Sequence, residues 1–252
     1  KTDEIFNLVY FDALHVGRNT EGFFDCTVSP LVKYWGFYNN DTNEVKVDSV
    51  TIQSIMKMVG IDKMTWEDST VVLAEGVKLD FNAIAQGTSV DLIAMLIEEK
   101  GILNYLIEVG GELKAKGINA DGNVWRVGID KPSEEIDFQN RFQFILDLKD
   151  KALATSGNYR KFYVRDGVKY AHTINPKTGF PSQNRLLSVT VVTSDCSLAD
   201  AYATAFMAMG LKKTKQIIKT LDDDIEIYIV YTDKNGDWKV YISPEMKKRI
   251  VN

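Results

Sequence analysis

The chain has 252 residues, 45% of them hydrophobic and 26% charged, which excludes a disordered polar chain and is long enough for a substantial core. Its 30 lysines and arginines against 35 aspartates and glutamates leave a net charge of −5, so no broad nucleic-acid surface is expected, because neutralising many phosphates needs a clustered basic excess. An anionic ligand must therefore be met locally, by backbone N–H groups, a metal ion or a few placed side chains.

Apolar Ile5, Leu8, Val9 and Ala13 recur at helical spacing and Asp3 stands as a cap, which predicts an opening helix over Ile5–Val16. A chain that opens at a helix suggests further sequence upstream. Asp48 caps a second predicted helix ending near Gly60, and a third runs from about Gln86 to Lys100 with Gly101 as its stop. Strands are expected at Val71–Leu73, Val77–Phe81, Tyr105–Val109, Trp125–Ile129, Phe142–Leu148, Phe162–Val164 and Leu187–Thr193. Helices Ser197–Met209 and Lys212–Leu221 and strands Glu226–Tyr231 and Trp238–Ile242 complete the chain. The mixture reads as α+β, one domain over residues 1–252 with a largely antiparallel sheet flanked by helices. Cys26 and Cys196 are too few for a disulfide framework and lack zinc-site spacing, and no run of about 18 apolar residues occurs.

Asp200 and Thr204 lie four apart within one predicted helix, so a carboxylate and a hydroxyl share a face. Both are hard oxygen donors of the kind magnesium takes, with waters and substrate phosphates completing its shell. The same spacing also suits an ordinary helix start packed on a core. His172 falls where a strand meets a Pro- and Gly-containing turn, a location that favours an exposed imidazole able to act as general acid or base. His15, inside the first helix, reads as structural. Gly110-Gly111 and Thr155-Ser156-Gly157 read as turns that could approach phosphates, although no P-loop or dinucleotide fingerprint is present. Leu79–Gly87 joins a strand to a helix, where backbone groups can meet a ligand and an irregular carbonyl can hold a metal.

Taken in order, several blocks resemble the ApbE family of FAD:protein FMN transferases. Gly22–Leu31 with Trp35-Gly36-Phe37 is similar to G-x-F-D-x-T-V-x-P-L and W-G-F, and Leu79–Gly87 to L-D-L-G-G-I-A-K-G. Val109-Gly110-Gly111 matches the family's G-G turn, Thr155–Tyr159 its T-S-G-x-Y, His172–Gly179 its H-I-I-D-P-x-T-G, and Ala199–Thr204 its A-D-A-x-x-T. The resemblance implies magnesium on Asp200, Thr204 and the Ala83 carbonyl, FAD contacts from Phe23, Phe24, Asp25, Asp80, Gln86 and Ile174, and His172 beside the pyrophosphate as candidate catalytic base. It implies transfer of FMN from FAD to a Thr or Ser hydroxyl of an acceptor flavoprotein, with release of AMP. The acceptors would be subunits of membrane redox complexes, and the setting periplasmic or cell-envelope, through a lipidated N-terminus.

The chain departs from the pattern in three ways. Gln86 stands where the family often has lysine, Asn175 precedes Pro176 in place of aspartate, and the family's N-terminal M-G-T strand with its aromatic flavin contact is not seen. The sequence leaves open an FAD pyrophosphatase giving FMN and AMP, or a flavin-binding protein without turnover.

Overall fold

The structure, a computed structural model, describes residues 2–38, 48–132, 142–158, 162–165 and 168–251. In chain order the elements are α1 Glu4–Asn19, α2 Ser29–Tyr34, α3 Ser49–Met56, β1 Met64–Glu67, β2 Thr70–Leu73, α4 Ala85–Glu99, β3 Tyr105–Val109 and β4 Glu112–Lys116. There follow β5 Trp125–Asp130, β6 Phe142–Leu148, β7 Lys151–Gly157, β8 Phe162–Arg165, β9 Val168–Ala171, β10 Leu186–Thr193 and α5 Cys196–Ile217. The chain closes with β11 Glu226–Thr232, β12 Trp238–Ile242, α6 Pro244–Arg249 and β13 Ile250–Val251.

The centre is an antiparallel sheet in the order β12-β11-β10-β7-β4-β3. Its strands β10 and β11 are buried on both faces, and successive residues serve different cores, as the two-residue strand period requires. Val189, Val191, Ile227 and Ile229 join one cluster with α1 and α5. Val192, Tyr228 and Val230 join a second with Val127, Ile129, Leu146, Leu148 and Met246, under the three-stranded sheet β13-β6-β5 and α6. The α+β reading with a mainly antiparallel sheet therefore holds.

The starts of α1 and α3 follow local chemistry. Asp3 accepts from the Phe6 N–H at 2.7 Å, and Asp48 from those of Val50 and Thr51 at 3.1 and 3.0 Å, each relieving donors that lack an intrahelical partner. Tyr202 and Phe206 of α5 are fully buried and stack 5.6 Å apart against the sheet, each contributing about 2–3 kcal/mol of burial. α1 crosses this helix and ties to it through Asn19 Nδ2, which donates to Tyr202 Oη at 2.8 Å.

Several boundaries differ from the sequence expectation. Val77–Phe81 is not a strand: it makes one parallel bridge, Val28 to Lys78, and then turns as Asp80 Oδ1 accepts from the Asn82 N–H at 2.8 Å. Thr155–Gly157 is not a turn but the end of β7, paired with Ser188–Thr190 of β10. The strands β1, β4, β7, β9 and β13 and the short helices α2 and α6 were not expected, and α3 stops at Met56, short of Gly60. The two expected helices after residue 196 form one element broken at Gly210, whose φ of 77° no helix accommodates. Near this break Asn184 Nδ2 donates to the Met207 carbonyl at 2.6 Å and Ser182 Oγ to that of Ala208 at 3.4 Å.

Candidate active site

The site forms where the head of α4 meets the first turns of α5. Asp200, 7% exposed, faces α4, and its Oδ2 accepts from the Gly87 N–H at 3.2 Å. In a regular helix that N–H would bond to the carbonyl of Ala83, four residues back. Diverted to Asp200, it leaves the Ala83 carbonyl with no donor among the described residues. The backbone is irregular there, with Ile84 at φ −151° and ψ −24°. The contact needs glycine at 87, since a Cβ would lie 2.2 Å from the Cys196 carbonyl oxygen.

Thr204 lies one turn beyond Asp200, partly buried, with its Oγ1 3.1 Å from Ser156 Oγ at the end of β7. Thr155 points to the other side of the strand, where its hydroxyl lies 2.9 Å from that of Thr190. Burial pushes the Asp200 carboxyl up to about 6, with the Gly87 N–H as the opposing influence, and no lysine or arginine among the described residues pairs with it. A buried carboxylate, a hydroxyl and an unengaged carbonyl make a hard-oxygen set that fits a magnesium-like cation. Among the described residues no group of three or more His, Cys, Asp or Glu gathers, so a cation here would take mixed protein donors and complete its shell with water or ligand oxygens.

Gln86, exposed beside Gly87, lies across the β3–β4 turn, with its Nε2 1.8 Å from where a Gly110 Cβ would stand. Gly110 thus makes room for the side chain that replaces the family's lysine.

The remaining expected site residues lie on other segments, and the structure gathers them only in part. The Asp80 N–H donates to the Cys26 carbonyl at 2.7 Å, which joins the Phe23–Asp25 block to the segment leading into α4. Asp25 is buried and its Oδ1 accepts from both the N–H and the hydroxyl of Thr27, at 2.8 and 2.6 Å. Burial holds its carboxyl above the usual range despite these bonds. Phe24 is buried in the main core while Phe23 is partly exposed, so Phe23 offers the more accessible ring.

His172 is partly buried, rather than exposed, just after β9, and its neighbour Thr173 donates to Asn158 Oδ1 at 3.3 Å, beside the end of β7. Ile174 packs in a separate cluster with Leu31, Trp35, Ile52 and Val59, and Trp35 Nε1 donates to the Gly179 carbonyl at 2.8 Å. A cavity of about 470 Å³ opens on this turn, lined by Asn175, Thr178, Phe180, Pro181, Ser182 and Gln183. Tyr159 of the T-S-G-x-Y block lies outside the described residues. His15 does have a structural place, its Nε2 2.8 Å from Asp223 Oδ2.

The sequence did not reveal Gly87 as donor to Asp200, Ser156 as neighbour of Thr204, or the part played by Asp91 on α4. Gly87 and Asp91 are four apart, the spacing that singled out Asp200 and Thr204, and would have been the signal.

The fold is that of flavin transferases: the solved structure of the flavin transferase ApbE from Vibrio cholerae superposes with a TM-score of 0.86 at 35% identity, covering 98% of this chain and 77% of that one. Residues 1–229 match the ApbE family, and the chain belongs to it. A V. cholerae relative named FAD:protein FMN transferase is 36% identical over 239 residues, 94% of this chain and 69% of its own length. An Escherichia coli K12 relative of the same name is 30% identical over 245 residues, 95% of this chain and 68% of its own.

Proposed function

We propose that this chain is an FAD:protein FMN transferase that uses magnesium to move FMN from FAD onto a Thr or Ser hydroxyl of an acceptor flavoprotein, releasing AMP. What carries the reading is Asp200: a buried carboxylate one turn from the Thr204 hydroxyl, with no cationic side chain paired to it among the described residues, opposite a helix head whose Ala83 carbonyl has no donor among them. Asp200, Thr204 and the Ala83 carbonyl are the groups that would hold the metal. When bound, magnesium would supply charge neutralisation for the diphosphate.

The chain's own residues do the rest. The Gly87 N–H fixes the Asp200 carboxylate, and Gln86 stands exposed at the same helix head, within reach of a diphosphate. The Phe23–Asp25 block, Asp80 and Ile174 line the flavin-nucleotide path in this reading. The acceptor oxygen attacks the FMN phosphorus, the bridging P–O bond breaks, and AMP leaves with the bridging oxygen. His172 takes the proton of the acceptor hydroxyl, a role suited to an imidazole near neutral pH.

The reading extends to flavoprotein subunits of membrane redox complexes as acceptors and to a lipoprotein at the periplasmic face, on the strength of the motif resemblance. Cell fractionation with an antibody to the native protein tests the location, and recovery in the cytosolic fraction would overturn it. The activity is tested by incubating the protein with FAD, Mg²⁺ and an acceptor domain and measuring masses. Acceptor heavier by one FMN less one water, with AMP formed in equal amount, is the expected result; free FMN with unmodified acceptor would instead mark a pyrophosphatase, and intact FAD a binding protein.

A further inference from the structure

Asp91 stands one turn beyond Gly87 on α4 and meets the first residues of α5. Its Oδ1 accepts from the Cys196 N–H at 3.1 Å and its Oδ2 from the Ser197 N–H at 2.9 Å. Donors at a helix start have no intrahelical acceptor and are ordinarily satisfied by the helix's own N-cap side chain. Asp195 occupies that N-cap position but makes no capping bond. Its carboxylate is engaged by the Ser194 hydroxyl at 2.8 Å and by Lys114 Nζ at 3.0 Å. The metal-competent helix is therefore capped from a neighbouring helix, the same one whose head presents Ala83 and Gly87.

The clamp is held from outside as well. Lys114 on β4 reaches Asp91 Oδ1 at 2.7 Å, and Ser197 Oγ donates to Asp12 Oδ2 on α1 at 2.7 Å. Asp200 follows Cys196 by four residues, about one turn, so whatever fixes the rotation of α5 at Cys196 and Ser197 also fixes where Asp200 and Thr204 point. A slip of one residue would swing both by roughly 100° about the helix axis, away from the Ala83 carbonyl.

We propose that Asp91 is the positioning residue of the cation site: by capping α5 from α4 it sets the Asp200 carboxylate and Thr204 hydroxyl against the carbonyl at the head of its own helix. It touches neither cation nor FAD. The inference rests on the cation-site reading above and adds to it that affinity depends on a carboxylate remote from the ligands. Partners that orient metal ligands from behind typically change metal affinity by about 10–100-fold when removed.

The test is Mn²⁺ binding to the purified chain, followed by loss of the free-ion paramagnetic signal, so that the readout does not depend on turnover. Asp91→Ala is expected to weaken Mn²⁺ about tenfold or more, and Asp91→Asn, which keeps one acceptor oxygen of the same shape, by a smaller factor of about three. Half-saturating Mg²⁺ for FMN transfer should move in parallel, with the FAD KM at saturating Mg²⁺ within about twofold of the parent. Should Asp91→Ala fail to fold, Asp91→Asn carries the test. Parental Mn²⁺ affinity in the folded Asp91 variants, whatever their melting temperatures, overturns this inference provided Asp200→Ala has lost binding; parental affinity in Asp200→Ala overturns the cation-site reading itself.

Discussion

Two aspartates on facing helices, Asp91 of α4 and Asp200 of α5, sit at the same seam under opposite electrostatic conditions. Asp91 is matched: Lys114 lies 2.7 Å away and two backbone N–H groups point at it. Asp200 is the more deeply buried of this pair and, among the described residues, receives only the Gly87 N–H, and its carboxyl is pushed up to about 6. A covered carboxylate with a cation beside it has its desolvation offset and is costly to unpair, whereas one without is unfavourable until a cation arrives. The seam thus separates a residue that holds the helices from one held ready for a ligand.

The largest effect expected from breaking this contrast is at Asp200. Asp200→Asn should lower FMN transfer by about 100-fold or more, since it removes the charged metal ligand. In the parent, Mg²⁺ at 100 times its Kd should stabilise the fold by about 2.7 kcal/mol, and the variant should lose that thermal shift. With a chelator present, calorimetry should find the variant melting no lower than the parent, because the substitution removes a buried charge that lacks a partner. A variant that keeps both its activity and its Mg²⁺ shift would dissolve the distinction.

Next in size is the seam itself. Gly87→Ala places a methyl 2.2 Å from the Cys196 carbonyl, and backbone on both sides must move. A loss of about 2–3 kcal/mol is expected, read as a lower denaturation midpoint, together with weaker Mg²⁺ dependence of transfer.

Lys114→Met tests the matched side. It should cost about 2 kcal/mol, between the values for exposed and buried pairs, because Lys114 and Asp91 are mostly but not fully covered. Its pH dependence follows from both partners. Burial works against the Lys114 charge, but Asp91 and Asp195 outweigh it and hold the ammonium above its usual range. Burial likewise opposes the Asp195 charge, but the Ser194 hydroxyl and Lys114 outweigh it and hold the carboxyl low. The lysine's contribution is complete below about pH 10 and fades as pH rises through its raised value; the aspartate's is complete above about pH 4 and fades as pH falls through its lowered one. Denaturant titrations should therefore show the parent–variant gap widest near neutral pH and shrinking in acid. A gap that grows in acid would contradict the pairing.

The smallest change expected is a gain. Gln86→Lys adds a positive charge at an exposed helix head beside the site, and should lower the FAD KM by about two- to fivefold at low ionic strength, an advantage that salt removes. An unchanged KM at low salt would mean that the diphosphate does not pass residue 86.

What could be read from the sequence, and what could not, divides by range. Asp3 and Asp48 cap the helices they were expected to cap, because capping joins residues two or three apart. Glu112–Lys116 and Lys151–Gly157 escaped notice as strands because charged residues, alanines and a glycine carry little β signal; they are strands because neighbours on both sides take their backbone groups. Val77–Phe81 failed the other way: its apolar residues suggested a strand, but Asp80 bends the chain toward α4.

The sequence by itself determined the starts of α1 and α3, the shared face of Asp200 and Thr204, and the ordered blocks that tie the chain to the ApbE family. Only the tertiary structure decided that the Gly87 N–H turns from Ala83 to Asp200, that Asp91 rather than Asp195 caps α5, and that Lys114 is set beside Asp91 while no cation among the described residues pairs with Asp200. The reason is that caps and periodic faces are local, whereas the charge environment of a buried carboxylate is set by residues distant in sequence, which meet only once the helices have packed.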